Sequence, residues 1–498
     1  MRRRGTRRAG AAALGCLALG QGACGGAAAP GDGAPDDIVL IVIDTLRADH
    51  LGAWGYARPT SPNLDRLAAA GVRFESFFSS ASWTRPAMAT LHTGLYARSV
   101  GVYEERYDRL PEDVRTLAER LGEAGYLTLG ITANPNVNAW FGFDQGFDAW
   151  LDSDVVFSWF MPVGDGQRAF EPEDAPLPTA AEVTDRALRL VDTHAAALAR
   201  EPFYLQLLYV DPHYPYAAPE PYRQALGGGA DRLSLYDAEL RFADAEIGRL
   251  LAGLQARGLL ERAFVAVTSD HGEGLLDHPH LPFGSRHGDH LYDSVLHVPL
   301  IFYGPGLPAG RVVGELASSV DLVPTLLEVA GIEVPPELPG RSLLPAARAG
   351  GAGADGPDRV FSETEWRYAR KLSVRSASQR LVRNEDSAAF LRDGTHEGRE
   401  LRPVEAEMLR RTPPVELVGP DLAAGPDLAV SLEAWDDATP RRVPERRDPE
   451  DVVTRGDGSV VPSARAEPVA PIDEALRAQL EALGYLGEAE GSGGRSGR

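Results

Sequence analysis

The sequence predicts an α/β fold in which a central, mostly parallel β-sheet carries helices on both faces. Two observations predict this class. Four apolar runs have the composition of buried strands, and each ends in polar residues: Ile38–Ile43, Tyr126–Ile131, Phe203–Val210 and Phe264–Thr268. Helical stretches fit between the runs, at roughly 61–70, 112–124, 180–199 and 235–257. Buried strands that alternate with helices are typical of a parallel sheet.

The polar residues that follow the four runs are of types that carry chemistry. They are Asp44, Asn134, the pair Asp211 and His213, and the pair Asp270 and His271. Ligands of open α/β sheets bind beyond the carboxyl ends of the strands, so we expect these residues to meet at one edge. Taken singly, Asp44 could be a strand-end turn residue and Asn134 an ordinary loop residue.

The length of 498 residues allows one large catalytic domain and a smaller lobe. We predict a leader and flexible tether at 1–35, a catalytic domain at 36–348, a smaller α+β lobe with long loops at 359–488, and a flexible tail at 489–498. A Gly/Ala-rich break at 349–358 separates the two lobes. Beyond it we expect strands at Val360–Glu363 and Lys371–Val374, long loops or partial disorder at 400–466, and a helix at 472–486.

Charge and cysteine content exclude some functions. The formal net charge of −22 makes nucleic acid an unsuitable partner, because a phosphate backbone requires a basic surface. Both cysteines, Cys16 and Cys24, fall within the first 24 residues, so the mature domain has neither a disulfide nor a thiol nucleophile. Lys371 is the only lysine that the chain contains.

The N-terminus has the pattern of an export signal. Five arginines in residues 1–8 precede a small, apolar stretch at 9–23, which is too short to span a bilayer. The residues before Cys24 resemble a bacterial lipobox, although Gln21 departs from it, and a flexible Gly/Ala-rich segment follows. We expect an exported protein, periplasmic or at the cell surface. Membrane attachment through a lipidated Cys24 and free secretion both stay open.

Several motifs, in a consistent order, resemble those of the sulfatase family. The two most informative are Asp44–Gly52 (DTLRADHLG) and Thr84–Gly94 (TRPAMATLHTG), which resemble the opening motif and the nucleophile signature. The other matches are Asp211–Tyr216, Ser269–Glu273, His287–Asp293, Val298–Ile301, Asp321–Leu326 and Leu483–Leu486. The resemblance implies an alkaline-phosphatase-like sandwich with a small C-terminal sheet, which agrees with the independent strand prediction.

The resemblance also implies roles for individual residues. A divalent metal ion would be bound by Asp44, Asp270, His271 and Thr84, with Thr84 as nucleophile. His213 and His287 would protonate the leaving group. Contacts to an anionic ester substrate would come from Arg85, Asn134, Asp211 and His290. A second metal ion bound by Asp211 and the histidines stays open, as do a helix-capping role for Thr84 or Ser82 and a surface position for His290.

Some positions depart from the family pattern. Thr84 stands where sulfatases carry a Cys or Ser that is oxidised to formylglycine, and Met88 stands where they carry an arginine. Thr45 replaces the second Asp of the usual pair, and His271 replaces an Asn ligand. The usual site lysines have no counterpart. A histidine ligand favours zinc or manganese over calcium or magnesium.

We therefore predict a sulfatase-like, metal-dependent hydrolase of sulfate or phosphate esters that works without formylglycine. A threonine alkoxide can form a phospho-enzyme but not a hydrated aldehyde, which favours phosphate or phosphonate esters. A phosphodiesterase or phospho-group transferase of the same superfamily is one alternative. A non-catalytic anion- or glycan-binding relative is another. The organic portion of the substrate and the oligomeric state stay open.

Overall fold

The computed structural model describes residues 37–103, 108–152, 179–275, 277–278, 286–349, 356–366, 369–384, 415–418, 425–442, 452–454 and 460–462. The predicted leader, tether and Cys24, the predicted helix at 472–486 and the C-terminal tail lie outside these ranges. The predicted domain boundaries stay predictions. Within the described residues, no helix combines the length and apolarity that crossing a bilayer requires.

Eight strands form the central sheet, in the order β4-β3-β5-β1-β6-β7-β2-β8. Their bounds are β1 (Asp37–Ile43), β2 (Val72–Phe78), β3 (Leu127–Thr132), β4 (Ala149–Asp152), β5 (Phe203–Tyr209), β6 (Ala263–Thr268), β7 (Leu300–Tyr303) and β8 (Arg311–Ser318). All neighbours pair in parallel except β7, which is antiparallel to both β6 and β2. The predicted mostly parallel sheet is confirmed, and the four predicted strands match β1, β3, β5 and β6 to within one residue at each end.

The helices in chain order are α1 (Pro62–Ala70), α2 (Thr84–Thr93), α3 (Ala97–Val100), α4 (Leu117–Glu123), α5 (Ala180–Thr193), α6 (Ala195–Leu198), α7 (Glu220–Ala225), α8 (Arg232–Ala256), α9 (Asp293–Leu296), α10 (Leu322–Val329), α11 (Leu344–Arg348) and α12 (Gly425–Ala438). The predicted helix at 112–124 begins later, at Leu117, because Thr116 and Glu119 form a capping box there. The predicted helix at 180–199 is two helices, α5 and α6.

Alternate residues of β1 enter two separate cores, so the sheet is buried on both faces. Ile38, Leu40 and Val42 pack in the core that contains residues of α2, α4 and α10. Val39, Ile41 and Ile43 pack in the core that contains residues of α1, α5 and α8. A strand buried on both faces must be apolar at every position, which explains the continuous run IVLIVI.

A smaller antiparallel sheet follows, in the order β12-β11-β10-β9. Its strands are β9 (Val360–Trp366), β10 (Ala369–Arg375), β11 (Arg380–Asn384) and β12 (Val415–Val418). A short hairpin is formed by β13 (Val452–Thr454) and β14 (Val460–Pro462). The predicted strands Val360–Glu363 and Lys371–Val374 lie within β9 and β10.

The prediction of long loops or partial disorder at 400–466 is wrong for 425–438, where the chain forms α12, and for the short strands β12, β13 and β14. Leu428, Leu432 and Trp435 are spaced at i, i+4 and i+7, and all three are buried beside side chains of the small sheet. This spacing places them on one face of a helix. The surrounding Pro- and charge-rich sequence obscured the pattern.

Arg98 joins the small sheet and α12 to the main body. Its Nε lies 2.6 Å from Glu363 Oε2, and its backbone N–H donates to Glu363 Oε1 at 3.0 Å. The guanidinium also bonds Asp436 at 2.5 Å and lies 4.5 Å from the ring centroid of Trp435. The Arg98 side chain is only 2% exposed, so these contacts are shielded from solvent.

We predict that Arg98→Ala lowers the free energy of unfolding by about 3–5 kcal/mol, because it leaves the buried Glu363 carboxylate without its cation. Chemical denaturation followed by circular dichroism measures this change. The matched control is Arg115→Ala, whose partner is Glu123; these side chains are 48% and 67% exposed. The control should cost less than about 1 kcal/mol. Equal losses for the two variants would contradict the prediction.

Candidate active site

The carboxyl ends of four neighbouring strands, β3, β5, β1 and β6, lie at one edge of the sheet. In register, Ile43 of β1 pairs with Tyr209 of β5, and Val42 pairs with Thr268 of β6. The segments that follow these strands therefore begin side by side. They carry Asp44, Asn134, Asp211 and Asp270, as the strand-end pattern predicted.

Asp44, Asp270 and His271 come together as a group of ligand atoms that all lie within 4.8 Å of one another. His271 Nε2 is 3.5 Å from Asp44 Oδ1 and 3.4 Å from Asp270 Oδ2. Neither of these carboxylate oxygens has a hydrogen-bond partner within the described part of the chain, and both residues are buried. Oxygen ligands of this kind fit a divalent cation.

His271 is held in the tautomer that a metal ligand requires. Its Nδ1 lies 2.8 Å from the carbonyl oxygen of Gly272. A carbonyl oxygen can only accept, so Nδ1 carries the proton and Nε2 keeps its lone pair facing Asp44 and Asp270. Burial, followed by the neighbouring His287, lowers the pKa of His271 well below its usual value. The ring is therefore neutral, as metal binding requires.

In the metal-free protein, the charged forms of both carboxylates are disfavoured. Burial, followed by repulsion from Asp270, raises the pKa of Asp44 well above its usual value. Burial likewise raises the pKa of Asp270 to about 7. A cation between them would offset both shifts, because it stabilises the charged form of each carboxylate.

Thr84 is the first residue of α2, and its Oγ1 lies 3.2 Å from His271 Nε2. The hydroxyl is therefore adjacent to the three acid and imidazole ligands. A helix-capping role for Thr84 or Ser82 is contradicted, because Trp83 occupies the N-cap position and Thr84 is the first residue inside the helix. Ser82 Oγ instead donates to the carbonyl oxygen of Gly288 at 3.0 Å.

His213 and His287 lie next to this group. The ring centroids of His271 and His287 are 4.4 Å apart, and those of His213 and His287 are 5.1 Å apart. Burial, followed by the neighbouring His287, lowers the pKa of His213 to about 4, and burial, followed by Arg286, lowers that of His287 to about 3. At pH 7 in the substrate-free protein, neither ring therefore carries the second proton that a general acid would donate.

Three residues predicted to contact substrate have protein partners. Asn134 Nδ2 donates to Asp44 Oδ2 at 2.5 Å. Arg85 donates to Asn136 Oδ1 at 2.9 Å, and its guanidinium lies 3.7 Å from the ring centroid of Phe141. Asp211 shares a hydrogen bond with the carboxyl group of Glu239. Burial, followed by the charge of Asp211, raises the pKa of Glu239.

His290 is buried, with 1% exposure, so the alternative that it is a surface residue is contradicted. Its Nδ1 lies 2.8 Å from Asp289 Oδ1. The loop that carries it is anchored near Thr84, because the hydroxyls of Ser82 and Thr364 both donate to the carbonyl oxygen of Gly288, at 3.0 and 2.6 Å.

The comparisons with known proteins agree on one family. The sulfatase family model matches residues 36–332, which is more than half of the chain. The chain belongs to the sulfatase family. N-acetylgalactosamine-6-sulfatase of Canis lupus familiaris is 30% identical over 358 residues, covering 63% of this chain and 66% of that protein. Homo sapiens arylsulfatase A is 29% identical over 341 residues, covering 60% and 65%. The chain thus spans just under two thirds of the length of these curated relatives.

A solved structure with a similar architecture confirms the fold. The phosphonate monoester hydrolase SpPMH from Silicibacter pomeroyi superposes with a TM-score of 0.60 at 20% sequence identity. The match covers 86% of this chain and all of that one. The predicted alkaline-phosphatase-like sandwich, with its central sheet and small C-terminal sheet, is therefore correct.

Four residues that the sulfatase motifs did not single out contribute to this region. Glu273 is buried, with its Oε1 3.4 Å from His287 Nδ1. Arg47 Nη1 donates to the backbone oxygen of Glu273 at 3.1 Å. Arg47 is the last residue of DTLR and Glu273 the last of SDHGE, so their place in these motifs could have indicated a role at the site. Glu239 on α8 had no such signal, and neither did Lys371.

Lys371 lies near the His287–His290 loop, although it falls in the C-terminal lobe of the sequence. It is buried in β10, where it pairs with Thr364 of β9. Against the effect of burial, the hydrogen bond from His290 and the charge of Lys371 hold the pKa of Asp289 below its usual value. In the sequence this lysine lies far from the motifs, and the pairing of β9 with β10 brings it close to the His287–His290 loop.

We predict that zinc or manganese binds more weakly as the pH falls below about 7, because the ion must displace protons held by Asp44 and Asp270. Both pKa values are raised in the metal-free protein, so binding below pH 7 should release about one to two protons, and fewer at pH 8. Isothermal titration calorimetry in two buffers of different ionisation enthalpy measures this number. Proton release that is the same at pH 6 and pH 8 would contradict the prediction.

Proposed function

We propose that this chain is a metal-dependent ester hydrolase that cleaves phosphate or phosphonate esters through Thr84. The observation that carries the proposal is the position of Thr84 Oγ1, 3.2 Å from His271 Nε2 and beside two buried carboxylates. A divalent ion bound by Asp44, Asp270 and His271 would neutralise ester oxygens and lower the pKa of the Thr84 hydroxyl.

Hydrolysis of the ester can proceed in two steps. In the first, Thr84 Oγ attacks phosphorus, the Oγ–P bond forms and the bond to the leaving alcohol breaks. The hydroxyl proton passes to the leaving oxygen, and the neutral rings of His213 and His287 are placed to carry it. In the second, water attacks phosphorus, the Oγ–P bond breaks and Thr84 regains its proton. An anionic ester beside these rings raises their pKa, which improves them as proton carriers.

The N-terminal end of α2 adds to the stabilisation of charge. Thr84 stands at the first position of this ten-residue helix, and Pro86 lies in its first turn. The reacting anion would meet the positive end of the helix dipole. The same end has backbone N–H groups without intrahelical partners.

Sulfate-ester hydrolysis is the second candidate, and family membership favours it. Relatives such as N-acetylgalactosamine-6-sulfatase are named for this activity. Thr84 weighs against it, because a threonine cannot become the formylglycine that the sulfatase resemblance implies. The protein SpPMH, which has the same fold, is named as a hydrolase of phosphonate esters rather than sulfate esters. The non-catalytic alternative predicts no turnover of either class.

We predict that Thr84→Val lowers kcat/KM for the preferred ester by at least about 10³-fold, because it removes the nucleophile and keeps the side-chain shape. Paired p-nitrophenyl phosphate, phosphonate and sulfate substrates measure turnover, and intact-mass analysis after acid quench detects phosphorylated Thr84. Thr93→Val is the matched control, since Thr93 is buried at the other end of α2 and bonds the Ala89 carbonyl. Equal activities of the two variants would refute the nucleophile. Efficient sulfate cleavage with no phosphorylated peptide would favour the second candidate.

We also propose that the chain is exported and held at a membrane through Cys24. The order of a basic, an apolar and a Gly/Ala-rich segment before residue 36 supports this proposal. We predict that Cys24→Ser moves the protein from the membrane fraction to the soluble fraction of a bacterial host, and that the wild type incorporates labelled palmitate. Cys16→Ser is the matched control and should leave the distribution unchanged. A wild-type protein that is wholly soluble would contradict the anchor.

A further inference from the structure

Asn134 holds one oxygen of the Asp44 carboxylate and leaves the other available. Its Nδ2 donates to Asp44 Oδ2 at 2.5 Å, and both residues are buried. The second oxygen, Asp44 Oδ1, has no hydrogen-bond partner within the described residues and lies 3.5 Å from His271 Nε2. The two oxygens of one carboxylate therefore have different surroundings.

The direction of the Asn134 amide follows from its other contact. Asn134 Oδ1 accepts a hydrogen bond from the backbone N–H of Asn136 at 2.8 Å. Because a backbone N–H can only donate, the atom facing it must be the amide oxygen, and the NH₂ group must face Asp44. The Asn134 backbone is fixed as well, since its N–H donates to Thr132 Oγ1 at 3.0 Å.

The same loop is tied to the residue beside the nucleophile. Arg85 donates to Asn136 Oδ1 at 2.9 Å, and its guanidinium covers the ring of Phe141 at 3.7 Å. Arg85 directly follows Thr84, while Asn134 bonds Asp44. A single loop therefore links the nucleophile segment to a carboxylate of the ligand group.

We propose that Asn134 is a positioning residue that orients Asp44 so that Oδ1 faces the metal ion. This inference rests on the proposed metal-dependent function. Groups that hydrogen-bond a ligating carboxylate fix its orientation, and their loss weakens metal binding by about 10–100-fold. Without the amide, the Asp44 carboxylate can rotate, and its buried Oδ2 loses its donor. A direct contact between Asn134 and a substrate oxygen predicts the opposite pattern, in which metal affinity is unchanged.

The experiment measures zinc affinity of the full chain by competition with a chromogenic chelator. Asn134→Ala should weaken binding by about 10–100-fold, and at saturating zinc its KM should return close to the wild-type value. Asn138→Ala is the matched control, because Asn138 lies in the same loop but caps the turn at Phe141. Circular dichroism of the metal-free variants checks folding. If Asn134→Ala does not fold, Asn134→Leu keeps the side-chain volume and replaces it.

Asp44→Ala separates failure of this inference from failure of the proposed function. If Asp44→Ala binds zinc as tightly as wild type, the proposed metal site itself is wrong. If Asp44→Ala loses binding while Asn134→Ala stays within about threefold of Asn138→Ala, the site stands and the positioning role is overturned. A raised KM at saturating zinc, with unchanged zinc affinity, would likewise overturn it in favour of a substrate contact.

Discussion

Two carboxylates, those of Asp44 and Asp270, lie buried beside each other where β1 and β6 end. Burial of like charges is unfavourable unless a cation or protons compensate. The raised pKa values of both groups express this cost in the metal-free protein. Under the proposed function a divalent ion would compensate these charges, and the rest of the site keeps the two groups in place.

One oxygen of each carboxylate accepts a hydrogen bond. The other oxygens, Asp44 Oδ1 and Asp270 Oδ2, have no hydrogen-bond partner within the described residues. Asn134 bonds Asp44 Oδ2, while the backbone N–H of His271 donates to Asp270 Oδ1 at 2.8 Å. The N–H of Thr45 approaches the same Asp270 oxygen at 3.3 Å, from a left-handed backbone conformation with φ of 56°. A β-branched residue adopts this conformation at a cost. The Tyr236 hydroxyl, which donates to the Thr45 carbonyl oxygen at 2.8 Å, helps to hold it there.

The fold was predictable because its determinants are local. Continuous apolar runs identified β1, β3, β5 and β6. Because the carboxyl ends of parallel strands lie at one edge of a sheet, the polar residues that follow these runs could be placed together. Contacts between distant segments were not predictable in this way. Glu239 pairs with Asp211 through the packing of α8, and Lys371 approaches Asp289 through the pairing of β9 with β10. Asn134 was recognised as a polar strand-end residue, but its bond to Asp44 depends on the direction of an amide, which no spacing encodes.

The small C-terminal sheet contacts the segment before α2 and the Gly288 turn, both of which adjoin the candidate site. Its first strand, β9, bridges to the segment before α2, where the N–H of Glu363 donates to the Ser80 carbonyl oxygen at 2.9 Å. Thr364 of β9 and Ser82 before α2 then donate to the same acceptor, the carbonyl oxygen of Gly288. Residues from two separate parts of the chain thus fix the turn at Gly288, and the ring centroid of His287, beside that turn, lies 4.4 Å from that of His271. Because Arg98 secures the same sheet to α3, the geometry around Thr84 depends on contacts that the catalytic motifs do not contain.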